Sequence, residues 1–491
     1  MKSYWLEEYK YEHKNPPMES TVDILIVGAG MTGLMTAYEL SKNNKDIVVV
    51  EANKLVHGVS SKTTAKLTTM HNQLYQDIMS YHGFKKAKLY YEAGKEALEY
   101  LTNIIEKENI ACDLESIDNY IYAKTEKGEK KLLKEYSVLR RMGVDIELVD
   151  NPNYKKTLRL KNQYMFHPIK YLMGIIKILK QRNVLIYENH NVVKIKKEDN
   201  HYLVKFSNNK EIRANKIIIA THYPFKNPGG LYYSKLYQEK NYLIAFKTKN
   251  KIDGMYINSE LPVRSLRPHG ENIGIMVGSS HKAGTKVNYK KRMKKLRESV
   301  YEFDKDAVII NEWTNQDVMS IDSLPFIGKY SRCYPNMYVA TAFHTWGMTN
   351  SHVAAILLSK EIMGKKSRYK ELFNPLRISH IRSPIESLKI IGKAINGLII
   401  SRIGIPKKQL KDIKDNDGGI IKYKGNHYAV YKGKEYIFLK PTCTHTYCSL
   451  VWNKVEKTFD CKCHGSRFDV YGKVVIGPAI KPLERVKFNK K

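Results

Sequence analysis

The sequence predicts an α/β Rossmann-like nucleotide-binding domain, joined in α+β fashion to an antiparallel sheet and followed by a separate C-terminal domain. Three observations predict it. A strand, a glycine-rich turn, a helix and a second strand follow one another over residues 22–51. Residues from about 235 to 315 alternate as strands do, and four of the six cysteines fall between Cys443 and Cys463. The length agrees, since 491 residues at roughly 150 per domain make about three domains. Hydrophobic content of 43% and charged content of 27% exclude a disordered chain and a polytopic membrane protein.

Val22-Asp-Ile-Leu-Ile-Val27 reads as a buried strand, short and β-branched. It runs into Gly28-Ala-Gly30-Met-Thr-Gly33 and a helix through Leu34 and Leu40. Asp46–Val50 is a second strand, ending at Glu51, 18 residues beyond Gly33. This is the full dinucleotide-binding context rather than a bare glycine pattern. Gly28 allows the tight turn, Gly30 lets the backbone approach a pyrophosphate, and Gly33 permits close helix–strand packing. The helix N-terminus offers N–H groups to the phosphates. Glu51 is expected to accept hydrogen bonds from the adenosine ribose and to disfavour a 2′-phosphate.

FAD and NAD share this fingerprint, so other segments must choose. Lys216–Ile219 is a strand ending in Ala220-Thr221, and Val193, in Asn191–Ile195, is placed to cover an adenine. Asp322–Gly328 and Asn336–Thr341 lead into Phe343-His-Thr-Trp-Gly347-Met348-Thr349 and a further helix. On these motifs residues 20–375 resemble the D-amino-acid oxidase/glycine oxidase superfamily of FAD-dependent oxidoreductases. The resemblance implies FAD, with nucleotide-binding segments about 20–105, 150–232 and 316–366 and a substrate sheet mainly at 106–150 and 235–315. It places Gly347, Met348 and Thr349 at a helix N-terminus facing the flavin, where a positive helix end stabilises negative charge on the reduced ring. The loop bearing Ser60, Thr63 and Thr64 matches the superfamily's pyrophosphate and flavin contact, without its usual Arg-Asn pair.

Substrate candidates are Arg264, Arg267, His281, Lys282, His167 and His344. Period-2 alternation puts Arg264 and Arg267 on opposite strand faces. In this superfamily an Arg commonly pairs with a substrate carboxylate through a bidentate fork. Each Arg equally suits a solvated strand, and His167, before Pro168, equally suits a structural histidine. His281 and Lys282 follow a strand end, and His344 precedes the flavin-contact helix.

At the C-terminal end, Cys443-Thr-His445 is followed after fifteen residues by Cys461-Lys-Cys463-His464. Two cysteines and two histidines suit a [2Fe–2S] centre or a zinc ion. Together with Gly465-Ser466 and Gly477-Pro478-Ala479, the pattern resembles Rieske domains over about 418–491, which implies a small all-β fold. The resemblance implies Cys443, His445, Cys461 and His464 as ligands and a Cys448–Cys463 disulfide joining the two cluster loops. It also implies that Ser466 donates to a cluster sulfur. Phe468 stands where high-potential members carry Tyr, and Thr446-Tyr447 replace the usual Leu-Gly. An intermediate potential follows, within roughly −150 to +300 mV.

Between these regions, 376–417 reads as a helical connector, with Leu388, Ile391, Ile395, Leu398, Ile399 and Ile403 at helical spacing. It is expected to pack on the flavin domain or to lie on a membrane surface. The net charge of +34 comes mostly from scattered lysine with no nucleic-acid-binding signature, so no nucleic-acid partner is expected. The N-terminus lacks an apolar secretion segment, and no apolar run of about 18 residues occurs, which points to the cytoplasm, with contact to the membrane's inner face as the variant. The expected activity is oxidation of a small amine or amino acid at FAD. Single electrons then pass through the cluster to an acceptor such as a ferredoxin-like protein or a quinone. The alternatives are the reverse electron flow, driving reduction or hydroxylation, and a non-enzymatic redox protein at a membrane. Exposed cluster histidines amid basic residues are expected to suit an acidic partner.

Overall fold

The structure is a computed structural model that describes residues 2–43, 45–225, 230–285, 287–377 and 409–487. Strand β1 (Thr21–Val27) leads through Gly28 and Gly30 into helix α1 (Met31–Ser41) and then β2 (Ile47–Val50). Every β2 residue is buried, as expected of a parallel strand covered on both faces. On the other side of β1, β3 (Glu211–Ile219) pairs in parallel, with Ile26 opposite Ile218. The sheet runs Phe326–Ser331, Tyr334–Thr341, β3, β1, β2, Leu185–Tyr187. β1, β2 and β3 therefore end side by side, where ligands bind in open α/β sheets.

The second sheet has nine strands. Its outer part is antiparallel: β4 (Leu236–Lys247) lies between β5 (Ile273–Lys282) and β6 (Val308–Ser320). In this register Glu239 faces Asp317, and Lys240 faces Gln316. Three segments depart from the expected division, among them the short strand Lys66–Leu67, which pairs with Tyr164–Met165 in this sheet. Tyr154–Met165, expected in the nucleotide-binding part, pairs with Glu115–Ala123 in the second sheet, and β6 carries residues 316–320 there too. The two long strands, Tyr154–Met165 and β6, mix buried and exposed positions, whereas β2 is buried throughout. Helix α2 (Gly347–Ile362) packs on α1, where Thr32 Oγ1 and Ser351 Oγ share a hydrogen bond of 2.9 Å.

The C-terminal domain is built from two four-stranded sheets, antiparallel throughout, around a core of its own that includes Leu439, Phe459 and Phe468. The expected connector helix through Leu388–Ile403 lies outside the described residues. Among the described residues no helix is long and apolar enough to cross a membrane.

Candidate active site and cluster centre

A cavity of about 1260 Å³ opens at the ends of β1, β2 and β3. Its wall is set by backbone geometry. Gly28 has φ of +109°, and a Cβ there would lie 2.5 Å from Ala220 O. A Cβ on Gly33 would lie 1.9 Å from Gly28 O, so this glycine serves packing rather than the ligand. Both Gly28 and Gly30 line the cavity, as do Glu51, Ser60, Thr63, Thr64, Ala220, Thr221, Gly347 and Met348. Glu51 is held by the N–H groups of Ala29 (3.1 Å) and Asn53 (3.0 Å), one to each carboxylate oxygen. Each oxygen keeps a lone pair for a ribose hydroxyl. Burial raises the Glu51 carboxyl above its ordinary range. Ser60 Oγ takes the Met31 N–H at 3.0 Å, steadying the start of α1. This cradle and the acid beside it fit FAD. Two expected contacts differ. Val192 rather than Val193 lines the cavity, and Thr349 turns away to donate to Thr68 O at 2.9 Å.

The substrate candidates divide. Neither arginine reaches the cavity. Arg267 is 1% exposed, with Nε donating to Pro268 O and Nη1 to Ala65 O. Arg264 donates to Ser299 Oγ and Val263 O. Both guanidiniums satisfy local acceptors, which period-2 reasoning cannot see. His281 is buried between Tyr242 and Tyr289, away from the cavity, and burial lowers its pKa to about 3. His167 caps a helix through Lys170 N, and neither it nor Lys282 lines the cavity. His344 does line it; its Nε2 accepts from Ser320 N at 3.0 Å, and burial lowers its pKa to about 4.

The cavity also holds residues that the sequence did not single out. Lys66 is buried, donates to Tyr256 O and Ser265 Oγ, and burial brings its pKa well below the usual lysine value. His71 stacks on Trp346, with ring centroids 4.5 Å apart. Glu239 and Asp317 line it from the second sheet and Asp77 from the helix Leu74–His82, and no arginine lines the cavity among the described residues. Burial raises the Asp317 carboxyl to about 7, although Asn241 donates to it at 3.0 Å.

In the C-terminal domain the loops carrying Cys443, His445, Cys461 and His464 converge. The His445 and His464 rings lie 5.1 Å apart, edge to face. The Cys443 and Cys461 sulfurs lie within hydrogen-bonding reach of each other, and that contact lowers the Cys443 thiol and raises the Cys461 thiol. Backbone N–H groups of His464 and Cys463 point at the Cys461 sulfur, and Ser466 reaches Cys443, as expected of a sulfur donor. His464 is 9% exposed and keeps Nδ1 without a hydrogen-bond partner. Two thiolates and two neutral imidazoles therefore fit a [2Fe–2S] cluster. Cys448 and Cys463 form a disulfide, so these sulfurs, although within 4.8 Å of the Cys461 sulfur, are no thiolate ligands. Tyr447 takes a left-handed φ of 58° and points to solvent, 67% exposed, where the resemblance expects glycine.

The histidines do not face solvent as expected. Tyr223 lies against both, 6.5 Å from each ring, and Tyr233 is 6.3 Å from His464. Tyr223 also lines the nucleotide cavity. Two glutamines on β4 and β6 hold the cluster loops. Gln238 Nε2 donates to His464 O (2.7 Å) and Gly477 O (3.0 Å), while Gln316 Nε2 donates to Gly465 O (2.7 Å) and Gln238 Oε1 (2.7 Å). Around them Lys240 and Arg467 pair with Glu456, and Thr314 donates to Glu456 at 2.6 Å. Gly284, at φ +78°, lets its turn touch the cluster strand; a Cβ there would lie 2.0 Å from Cys461 O. The bonds from Gln238 and Gln316 to the cluster loops join residues more than a hundred positions apart, so no local pattern announces them.

A model of the FAD dependent oxidoreductase family matches residues 23–361, and one of the Rieske [2Fe-2S] domain matches residues 405–487. YhfW of Bacillus subtilis (strain 168), named a Rieske 2Fe-2S iron-sulfur protein, is 34% identical over 482 residues, 95% of this chain and 94% of its own. Glycine oxidase from Geobacillus kaustophilus shares the fold with TM-score 0.63 at 15% identity, over 74% of this chain and 100% of that one. L-proline dehydrogenase from P. horikoshii does so with TM-score 0.62 at 15% identity, over 73% and 98%.

Proposed function

Because this chain belongs to the FAD-dependent oxidoreductase family and carries a Rieske [2Fe-2S] domain, we propose that it oxidises a small amine at the flavin and sends the electrons through its own cluster to an external acceptor. FAD takes two electrons and gives them up singly, while the cluster carries one at a time. The observation that carries the reading is Tyr223, which belongs at once to the cavity wall and to the packing of both cluster histidines.

The cavity's chemistry favours an amine over an amino acid. An α-carboxylate has no arginine to pair with among the described lining residues, whereas Asp77, Glu239 and Asp317 suit a cationic nitrogen. A flavin-linked oxidation starts from the neutral amine. Burial disfavours the ammonium form of Lys66, which donates to two acceptors at the cavity wall, and this makes it the candidate to take the substrate's ammonium proton.

Anaerobic mixing with a panel of small amines tests the reading. Flavin absorbance should bleach first and the cluster signal should follow. Amines that never bleach the flavin, together with a cluster that a ferredoxin donor reduces before the flavin, would establish the reverse flow instead.

A further inference from the structure

We propose that the cluster domain completes the FAD site, its segment 473–482 forming the outer wall of the adenosine end. The inference rests on FAD at this cavity and not on the direction of electron flow.

The adenosine end is marked by Glu51. The loop 189–191 is tied to it, since His190 N donates to Glu51 O at 2.8 Å and Asn189 N to Asn53 O at 3.0 Å. From this loop Asn191 Nδ2 donates to Ile480 O of the cluster domain at 3.2 Å, a latch between the two domains at the rim of the cavity. The cavity lining continues across the latch through Val474, Val475, Ile476 and Ile480. Val475 is 44% exposed, one of the few large apolar side chains so open, and it lines the cavity. Apolar surface facing a cavity is surface that an aromatic ligand covers.

His190, in the same loop, also lines the cavity; its Nδ1 donates to Glu188 O at 2.7 Å and its ring packs against Tyr187 and Phe206, which fixes the loop at this end. The wall that faces this end thus comes from two domains: a polar loop from the nucleotide-binding sheet and an apolar strip from the cluster domain.

The test uses the full chain with its cluster in place, stripped of flavin and titrated with FAD by fluorescence quenching. Val475→Asp puts a carboxylate on the apolar strip at an exposed position, so the fold should tolerate it. FAD should bind about tenfold more weakly, the loss expected when roughly two buried CH₂ equivalents are forfeited, with the Rieske EPR signal unchanged. In the unsubstituted chain, FAD should slow amide hydrogen exchange across 474–480. An unchanged affinity in a Val475→Asp protein with intact EPR overturns the proposal. So does the absence of added protection in that segment. If the variant loses its EPR signal, the exchange measurement on the unsubstituted chain decides alone.

Discussion

Gln238 offers the sharpest test of how the two redox sites are held together. It is 1% exposed and gives both protons of its amide to the cluster loops, at His464 O and Gly477 O. Gln238→Leu keeps most of the volume and removes both donors. Each buried carbonyl left unsatisfied costs about 1–3 kcal/mol, so docking should weaken by about 3 kcal/mol, a factor of roughly 10² in the ratio of docked to undocked cluster domain. The Lys240–Glu456–Arg467 group and the Asn191 latch remain, so the domain stays mostly docked and opens more often. Native-state hydrogen exchange at His464 and Gly465 reads the opening free energy directly. The flash-induced rate of cluster reduction by photoreduced flavin should fall in parallel, while the cluster's EPR signal stays. An opening free energy within about 0.5 kcal/mol of the parent would refute the clamp, because such a change is what an ordinary surface substitution produces.

Three further outcomes follow from the cavity and the loops. Lys66→Met should slow flavin reduction by amines by about 10²-fold, in line with loss of a general base, and should remove the fall in rate at low pH; stopped-flow profiles against pH check both. Asp317 has its carboxyl raised to about 7, so it gains its charge as pH rises through that value, and KM for a cationic amine should fall over the same window. Asp317→Asn should flatten that dependence, and a KM profile that keeps its slope would refute the assignment. Replacing both Cys448 and Cys463 by Ser opens a crosslink with a sequence separation of 15, which should cost the cluster domain about 3 kcal/mol and appear as earlier cluster bleaching on heating.

Some of the site was legible because the backbone itself imposes it. Gly28 and Gly33 admit no Cβ against Ala220 O and Gly28 O, so their residue type reports the turn and the packing directly. Glu51 was legible because it ends β2 beside that turn, and Cys443, His445, Cys461 and His464 because two short loops carry the whole candidate ligand set. Arg264 and Arg267 were not legible. Alternation tells which face a side chain leaves from, but the partners that satisfy the two guanidiniums include Ser299, Ala65 and a neighbouring carbonyl, set by folding. Lys66 likewise reads as one lysine among many until Tyr256 and Ser265 close over it.

By itself the sequence determined the parts: a nucleotide cradle, a partly antiparallel second sheet, and a C-terminal domain with two cysteine- and histidine-bearing loops. These depend on close-range constraints, namely glycine conformation, side-chain alternation, and ligand atoms spaced by a few residues. Tertiary structure alone decided how the parts meet. It turned the candidate ligand histidines inward onto Tyr223, set Gln238 and Gln316 beneath their loops, and lined the cavity with acids rather than arginines among the described residues. The reason is physical. A contact between residues 238 and 464 is specified by the shape and polarity of two folded surfaces, and neither surface exists until each domain has formed its own core.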